Sequence, residues 1–288
     1  MFDVRDVKPQ KWIWAMLRFL QLSFCFLAAF WLSACATMGT PNSPEELART
    51  LDEAIVAIPE EYYKGDAPSD LYSWGRMKRV KEDLANRVGE KKIPLVIYLH
   101  GCLGFEWHTN HDISFLLRNG YAVLAPNSAA RKYMPTGCPP NSDRRVLAFR
   151  LADASYAHEA AKNLPWVDKR NIFMMGFSEG GITTAQYDRG GLAGRVILGW
   201  TCNAGWPEYK GILGPRDEPI LAAVASNDPY FTSSDTSGDC GSSMFFRRNA
   251  ESIVVDVKLH GYTSLHGVQI LPEVQKKILQ FLEINRRP

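Results

Sequence analysis

The chain has 288 residues, 46% of them hydrophobic and 22% charged, with 22 Gly and 17 Pro. That suits one large α/β domain or two small ones, can bury a substantial core, and excludes collagen-like, low-complexity and mostly disordered chains. Residues 1–34 hold four basic side chains (Arg5, Lys8, Lys11, Arg18) and two acidic ones (Asp3, Asp6), and the rest carries 29 of each sign, a neutral body without the electrostatic footprint of a nucleic-acid binder.

Residues 19–32, FLQLSFCFLAAFWL, form an apolar run without a charge. Fourteen residues of helix rise about 21 Å, short of the roughly 30 Å hydrocarbon core. Preceded by Lys8, Lys11 and Arg18, the run reads as the centre of a secretory signal over residues 1–34. It ends in Leu32-Ser33-Ala34-Cys35, which resembles the bacterial lipobox. That resemblance implies a lipidated Cys35 at the mature N-terminus, a tether over 35–42 and a periplasmic, lipid-anchored protein; Ala36 after the cysteine leans toward the outer membrane. An uncleaved anchor is the competing reading, since Trp14 and Met16 lengthen the apolar stretch.

Export changes how the other cysteines are read. Cys25 leaves with the signal, and Cys102, Cys138, Cys202 and Cys240 remain. An even set in an oxidising compartment suggests two disulfides in any of three connectivities. No CxxC or paired Cys/His spacing suggests zinc. His108 and His111 lack the glutamate and third ligand of a zinc protease, so neither a metal nor a cofactor is expected.

Ser43-Pro44-Glu45-Glu46 starts a helix: Ser43 can cap, Pro44 suits the first turn and Glu46 completes a capping box. Leu47, Leu51, Ile55 and Ile58 give it one apolar face. A second helix is predicted over Ser73–Val88, making residues 43–91 an N-terminal helical extension. From residue 92 to 288 the pattern alternates. Short apolar runs at Pro94–Leu99, Tyr121–Ala125, Ile172–Met175, Val196–Trp200, Ile220–Ala225 and Ile253–Leu259 read as strands buried on both faces. Helices lie between them, one striped by Leu151, Ala154, Ala157, Ala161 and Leu164, and a last one opened by Pro272 with Val274, Ile278 and Phe281 inward. The expected fold class is α/β, a mostly parallel sheet with helices on both faces. Ligands to such sheets bind at the carboxyl ends of the strands.

The sharpest chemical signal is Gly176-Phe177-Ser178-Glu179-Gly180, a G-x-S-x-G between an apolar strand and a predicted helix. The turn is too sharp for side chains at both glycine positions, so the serine oxygen projects above the sheet. Ser178 is the candidate nucleophile, and the Glu179 N–H can donate to an oxyanion. A hydroxyl nucleophile needs a base oriented by an acid, in the chain order Ser, acid, His. Asp228 follows the strand Ile220–Ala225 and is the candidate acid; Asp235 and Asp239 are rivals read as solvated loop carboxylates. His266 has loop slack to reach Ser178, whereas His260 is expected to end the last strand. His108, His111 and His158 precede the serine and are expected at the surface. The H-G of Leu99-His100-Gly101-Cys102 matches the loop that supplies a second oxyanion donor, here the Cys102 N–H.

These features together resemble the α/β-hydrolase superfamily and, within it, the dienelactone-hydrolase-like branch. The resemblance covers residues 92–285 and rests on LHGCLG, on Arg150 and Asp153 upstream of VDKRNIFMMGFSEGG, on the D-P-Y-F loop and on SLHGV. It implies pairing of Cys102 with Cys138 and of Cys202 with Cys240. Dienelactone hydrolase proper has a cysteine in the elbow and cationic residues for its substrate carboxylate. Here the elbow holds Ser178, and only Arg131 and Lys132 are candidates for such a grip.

Trp107, Tyr133, Trp206, Tyr209, Tyr230 and Phe231 are expected near the rim as an apolar pocket wall. The expectation is a cofactor-free, membrane-tethered serine hydrolase of a small-molecule or acyl ester. A serine peptidase with the same triad and a non-catalytic envelope-binding lipoprotein on a hydrolase scaffold are the alternatives.

Overall fold

A computed structural model describes residues 40–63, 75–77, 84, 88, 91–134, 138, 143–203 and 206–288. The signal, the lipobox cysteine and most of the tether lie outside the described residues, as does most of the helix expected over 73–88. Among the described residues, no helix is long and apolar enough to cross a membrane.

Among the described residues, eight strands form one sheet: β1 (Ile55–Ala57), β2 (Gly75–Arg76), β3 (Ile93–Leu99), β4 (Ala122–Ala125), β5 (Val167–Phe177), β6 (Gly194–Leu198), β7 (Ile220–Ala225) and β8 (Ala250–Val255). Their order is β2-β1-β4-β3-β5-β6-β7-β8. From β4 to β8 every pairing is parallel, while β1 runs antiparallel to β4 and β2 antiparallel to β1. All seven residues of β3 are buried, as a strand covered on both faces requires.

Alternation sends successive side chains of β3 to opposite faces of the sheet. Val96 and Tyr98 pack with Phe115, Leu116, Val274 and Ile278 of α2 (Trp107–Arg118) and α5 (Pro272–Ile284). Leu95, Ile97 and Leu99 pack on the other face with Ala154, Ala157 and Ala161 of α3 (Val146–Asn163). The predicted alanine stripe is therefore the contact face of α3; small side chains let the helix lie close to the sheet.

Two expectations are corrected. Among the described residues, the start of the expected helical extension, 43–63, is not helical throughout. The first helix, α1, covers Pro44–Asp52, and Ile55-Val56-Ala57 forms β1 against β4. Ala54 through Ile58 are all buried, a run no helix stripe can bury, and β-branched Ile55 and Val56 suit a strand. Ile55–Ala57 thus adds a strand to the sheet beside β4. The last strand also ends earlier than expected, at Val255. Asp256 accepts a hydrogen bond from the Lys258 N–H, and a short 3₁₀ turn over Val257–His260 closes at left-handed Gly261.

Candidate active site

The carboxyl ends of β3, β5, β6 and β7 surround a cavity of about 570 Å³. Ser178 sits between β5 and α4 (Glu179–Gln186) with φ 56° and ψ −119°, a conformation that costs a non-glycine residue on the order of 1–3 kcal/mol. Tertiary contacts hold it there. Its N–H donates to the Leu198 carbonyl at 2.9 Å, and its own carbonyl accepts from Ile182 at 3.0 Å. A Cβ at Gly176 would stand 2.0 Å from the Gly180 carbonyl oxygen, and one at Gly180 would stand 2.0 Å from that of Leu99. The two glycines are steric requirements of the turn.

Asp228 and His266 meet at this cavity. Asp228 Oδ2 lies 2.6 Å from His266 Nδ1, and Asp228 Oδ1 accepts the Tyr230 N–H at 3.0 Å. The contact to a carboxylate places the proton on Nδ1 and leaves Nε2 as the acceptor in the neutral ring. Phe177 and Tyr230 flank the imidazole, with ring centroids at 4.9 and 4.6 Å. Gly199 makes room for it, since a Cβ there would lie 3.1 Å from His266 Cε1. Just beyond His266, the amide of Gln269 donates to Asp112, tying this loop to α2. His260 is elsewhere: its Nε2 lies 2.5 Å from Glu273 on α5. Asp235 is exposed in the loop after Asp228.

The loop after β3 covers the serine closely: a Cβ at Gly101 would stand 3.6 Å from Ser178 Cβ. Cys102 and Glu179 both line the cavity. As the first residue of α4, Glu179 carries an N–H without an intrahelical acceptor. His100 and Arg150 hold the loop from behind. His100 Nδ1 contacts the Gly101 carbonyl at 2.6 Å, and Nε2 accepts the Ser128 N–H at 3.2 Å. Arg150 donates to the His100 carbonyl and reaches Nε2 at 3.0 Å. Burial, reinforced by the Arg150 charge, holds the His100 imidazole well below its ordinary pKa, so the ring is a neutral strut.

The Glu179 side chain turns inward, 4.0 Å from Arg150 Nε. Burial raises its pKa and Arg150 opposes the rise. The G-x-S-x-G motif points only to the N–H of Glu179; the buried partnership of its side chain with Arg150 has no local signal.

Two disulfides brace the rim, with the pairing that the resemblance implied. Cys102–Cys138 and Cys202–Cys240 have Cα separations of 5.2 and 4.8 Å. The first fixes the end of β3, and the second ties the end of β6 to the far side of the Asp228 loop.

Three expectations change. Arg131 is no substrate grip: its guanidinium is buried against Asp153 at 2.6 Å. His158 is buried and bonds Tyr187 Oη at 2.8 Å. His108 is not at the surface but lines the cavity, stacked on Trp107 at 3.6 Å. Burial, with smaller contributions from His266 and His111, lowers its pKa to about 4. Of the expected aromatic wall, Trp206, Tyr209, Tyr230 and Phe231 line the cavity, while Trp107 and Tyr133 stand exposed outside it.

Comparison with known proteins agrees with this architecture. A protein of Klebsiella pneumoniae subsp. pneumoniae, provisionally named a dienelactone hydrolase, superposes with a TM-score of 0.51 at 15% identity, over 80% of this chain and 98% of the other. An esterase of Pyrococcus furiosus superposes with a TM-score of 0.49 at 19% identity, over 68% of this chain and 85% of the other. No family model and no curated protein matches the sequence. At such identities the likeness speaks to the fold. The mostly parallel sheet, covered by helices and carrying a serine on the turn after β5, is an α/β-hydrolase fold.

Proposed function

We propose that the protein is a serine hydrolase of carboxylic esters. One observation carries the proposal: a serine held in a strained strand-to-helix turn shares a cavity with an imidazole whose far nitrogen is fixed by a buried carboxylate. Ser178 Oγ attacks the ester carbonyl carbon while its proton passes to His266 Nε2. Asp228 keeps the Nδ1 tautomer and stabilises the imidazolium. The carbonyl electron pair moves to oxygen, which the N–H groups of Cys102 and Glu179 receive; each such donor lowers the barrier by about 3 kcal/mol. Collapse breaks the bond to the leaving oxygen, which takes the proton from Nε2. Water then gives a proton to Nε2 and adds to the acyl carbon. Departure of Ser178 Oγ, reprotonated by His266, frees the acid.

The cavity wall is largely apolar, built by Phe177, Ile182, Trp200, Trp206, Tyr209 and Phe231. It suits an uncharged acyl or aryl group. With Arg131 committed to Asp153, a cationic grip for a dienelactone carboxylate has lost its first candidate. We read the chain further as exported and lipid-anchored through Cys35, on the strength of the apolar run and the LSAC motif. A fluorophosphonate probe tests the chemistry. The wild-type chain is expected to be labelled and Ser178→Ala to be silent, with ester turnover down by at least about 10⁴-fold. A folded wild-type protein that takes no label refutes the reading.

A further inference from the structure

Trp107 and Tyr133 stand outside the cavity wall, yet they share the carboxyl end of the sheet with its mouth. Leu103 is 69% exposed, Trp107 57%, Tyr230 56% and Tyr133 44%. Leu103 and Tyr230 line the opening itself; Trp107 stacks on His108 of the wall. Lys132 lies 5.1 Å over the Tyr133 ring, and Glu106 is an exposed acid on the same rim. Side chains of this kind, apolar and amphipathic aromatic with little net charge, settle at the boundary between headgroups and acyl chains.

The chain also enters the folded body at this end. Arg131 Nη2 donates to the Pro41 carbonyl at 2.8 Å. Glu46, in the first turn of α1, accepts the Lys132 N–H at 2.5 Å. Pro41 is therefore held beside Tyr133. The nine steps of chain from Leu32, the end of the apolar run, to Pro41 span at most about 32 Å. A second apolar feature, exposed Phe245 and Phe246, lies at the opposite end. Its neighbour Arg247 binds the carbonyls of Ile212, Leu213, Gly214 and Pro215, ahead of β7, and Asn249 pairs with the first residue of β7. The described chain starts at the rim, at Thr40 and Pro41, and not at that end.

We propose that the carboxyl-end rim is a membrane-contacting face, seated on the surface of the bilayer that holds the N-terminal segment. The cavity then opens toward that surface, and the substrate class is an amphiphilic acyl ester partitioned into the bilayer. The contact surface rests on the reading of a membrane-anchored N-terminal segment together with exposure and chain geometry; the substrate part rests on the hydrolase reading.

The full chain, bound to vesicles of phosphatidylethanolamine and phosphatidylglycerol with brominated acyl chains, separates the two parts. A tryptophan introduced by Tyr133→Trp is expected to add emission that the bromines quench, and one introduced by Phe245→Trp to add emission that they do not. Unquenched emission from Tyr133→Trp, equal quenching at both positions, or failure of the chain to bind the vesicles overturns the contact face. In the same vesicles, Trp107→Glu with Tyr133→Glu is expected to lower the ratio of long-chain ester hydrolysed in the bilayer to short-chain ester hydrolysed in water at least tenfold. An unchanged ratio overturns the substrate class. If neither ester is cleaved and no fluorophosphonate label appears while the quenching pattern holds, the hydrolase reading fails and the contact face stands.

Discussion

The elbow and the histidine loop meet at one cavity but are determined in different ways. The elbow is local. Within the five residues Gly176–Gly180, two positions exclude a Cβ, and the strand before and helix after fix the direction of Ser178. The candidate acid and base, Asp228 and His266, are distant in sequence, 38 residues apart. The loop carrying His266 takes its place from contacts with Gly199, Phe177, His108 and Asp112 on three other segments. Chemistry set by backbone sterics is readable from a short motif. Chemistry set by tertiary contact has to be inferred from order along the chain.

The steepest test of that contrast is Gly180→Ala. Its Cβ would meet backbone, the Leu99 carbonyl oxygen at 2.0 Å, which cannot rotate away. The variant is expected to lose its cooperative unfolding transition, because relief requires moving β3 or α4 bodily. A variant that folds with a normal melting curve would show that the elbow is less constrained than its geometry implies. Asp228→Asn probes the other region. It keeps the shape but offers Nδ1 the wrong partner, favouring the wrong tautomer. Turnover is expected to fall about 10⁴-fold, or some 5.5 kcal/mol, with the fold intact. Steady-state kinetics alongside circular dichroism reads both quantities.

The same distinction explains what the sequence revealed. The parallel strands and α3 were legible because burial on both faces leaves unbroken apolar runs, and a helix against a sheet leaves a stripe of alanines. Residues 55–58 misled because Ile55 and Ile58 fit a helical period as well as a buried strand. Only the open edge of β4 decides between them. Arg150 and His100 were visible as residues but not as a brace, since their contact joins positions 50 apart. Trp107 and Tyr133 belong to the expected end of the sheet but not to the pocket wall. Rim location follows from strand ends, whereas inward or outward direction follows from packing.

Removing the Cys202–Cys240 bridge by Cys202→Ala with Cys240→Ala sharpens the comparison on the histidine side. The bond closes a loop of 38 residues, worth about 4 kcal/mol in the chain-entropy model. Both cysteines lie beside the Asp228 segment rather than the elbow. Denaturant midpoints are expected to drop accordingly. Residual turnover should fall more than fluorophosphonate labelling of the elbow serine, because deacylation makes a second demand on the oriented histidine. Equal losses in the two assays would mean the bridge holds the whole rim and not the acid loop in particular.

The smallest expected effect concerns a histidine that serves structure alone. His158 is fully buried on α3 against Tyr187. Burial, aided by Lys162 and opposed by Glu159, lowers its pKa to about 4 from 6.5. The unfolded chain therefore binds more protons than the native one between those values. Stability rises with pH wherever that holds, so the native state loses stability as pH falls from about 6.5 toward 4 and recovers none below it. A shift of this size corresponds to about 3 kcal/mol at the acid end of the window. His158→Gln removes the titration while retaining a polar partner for Tyr187. Urea denaturation at pH 7 and pH 4.5 is expected to show a smaller difference for the variant than for wild type, by about 2–3 kcal/mol. Parallel pH dependences would mean that the buried ring is not what resists protonation. His100 and His108 would then have to account for the acid limb, and that would move the pH sensitivity of the fold from α3 to the rim of the candidate site.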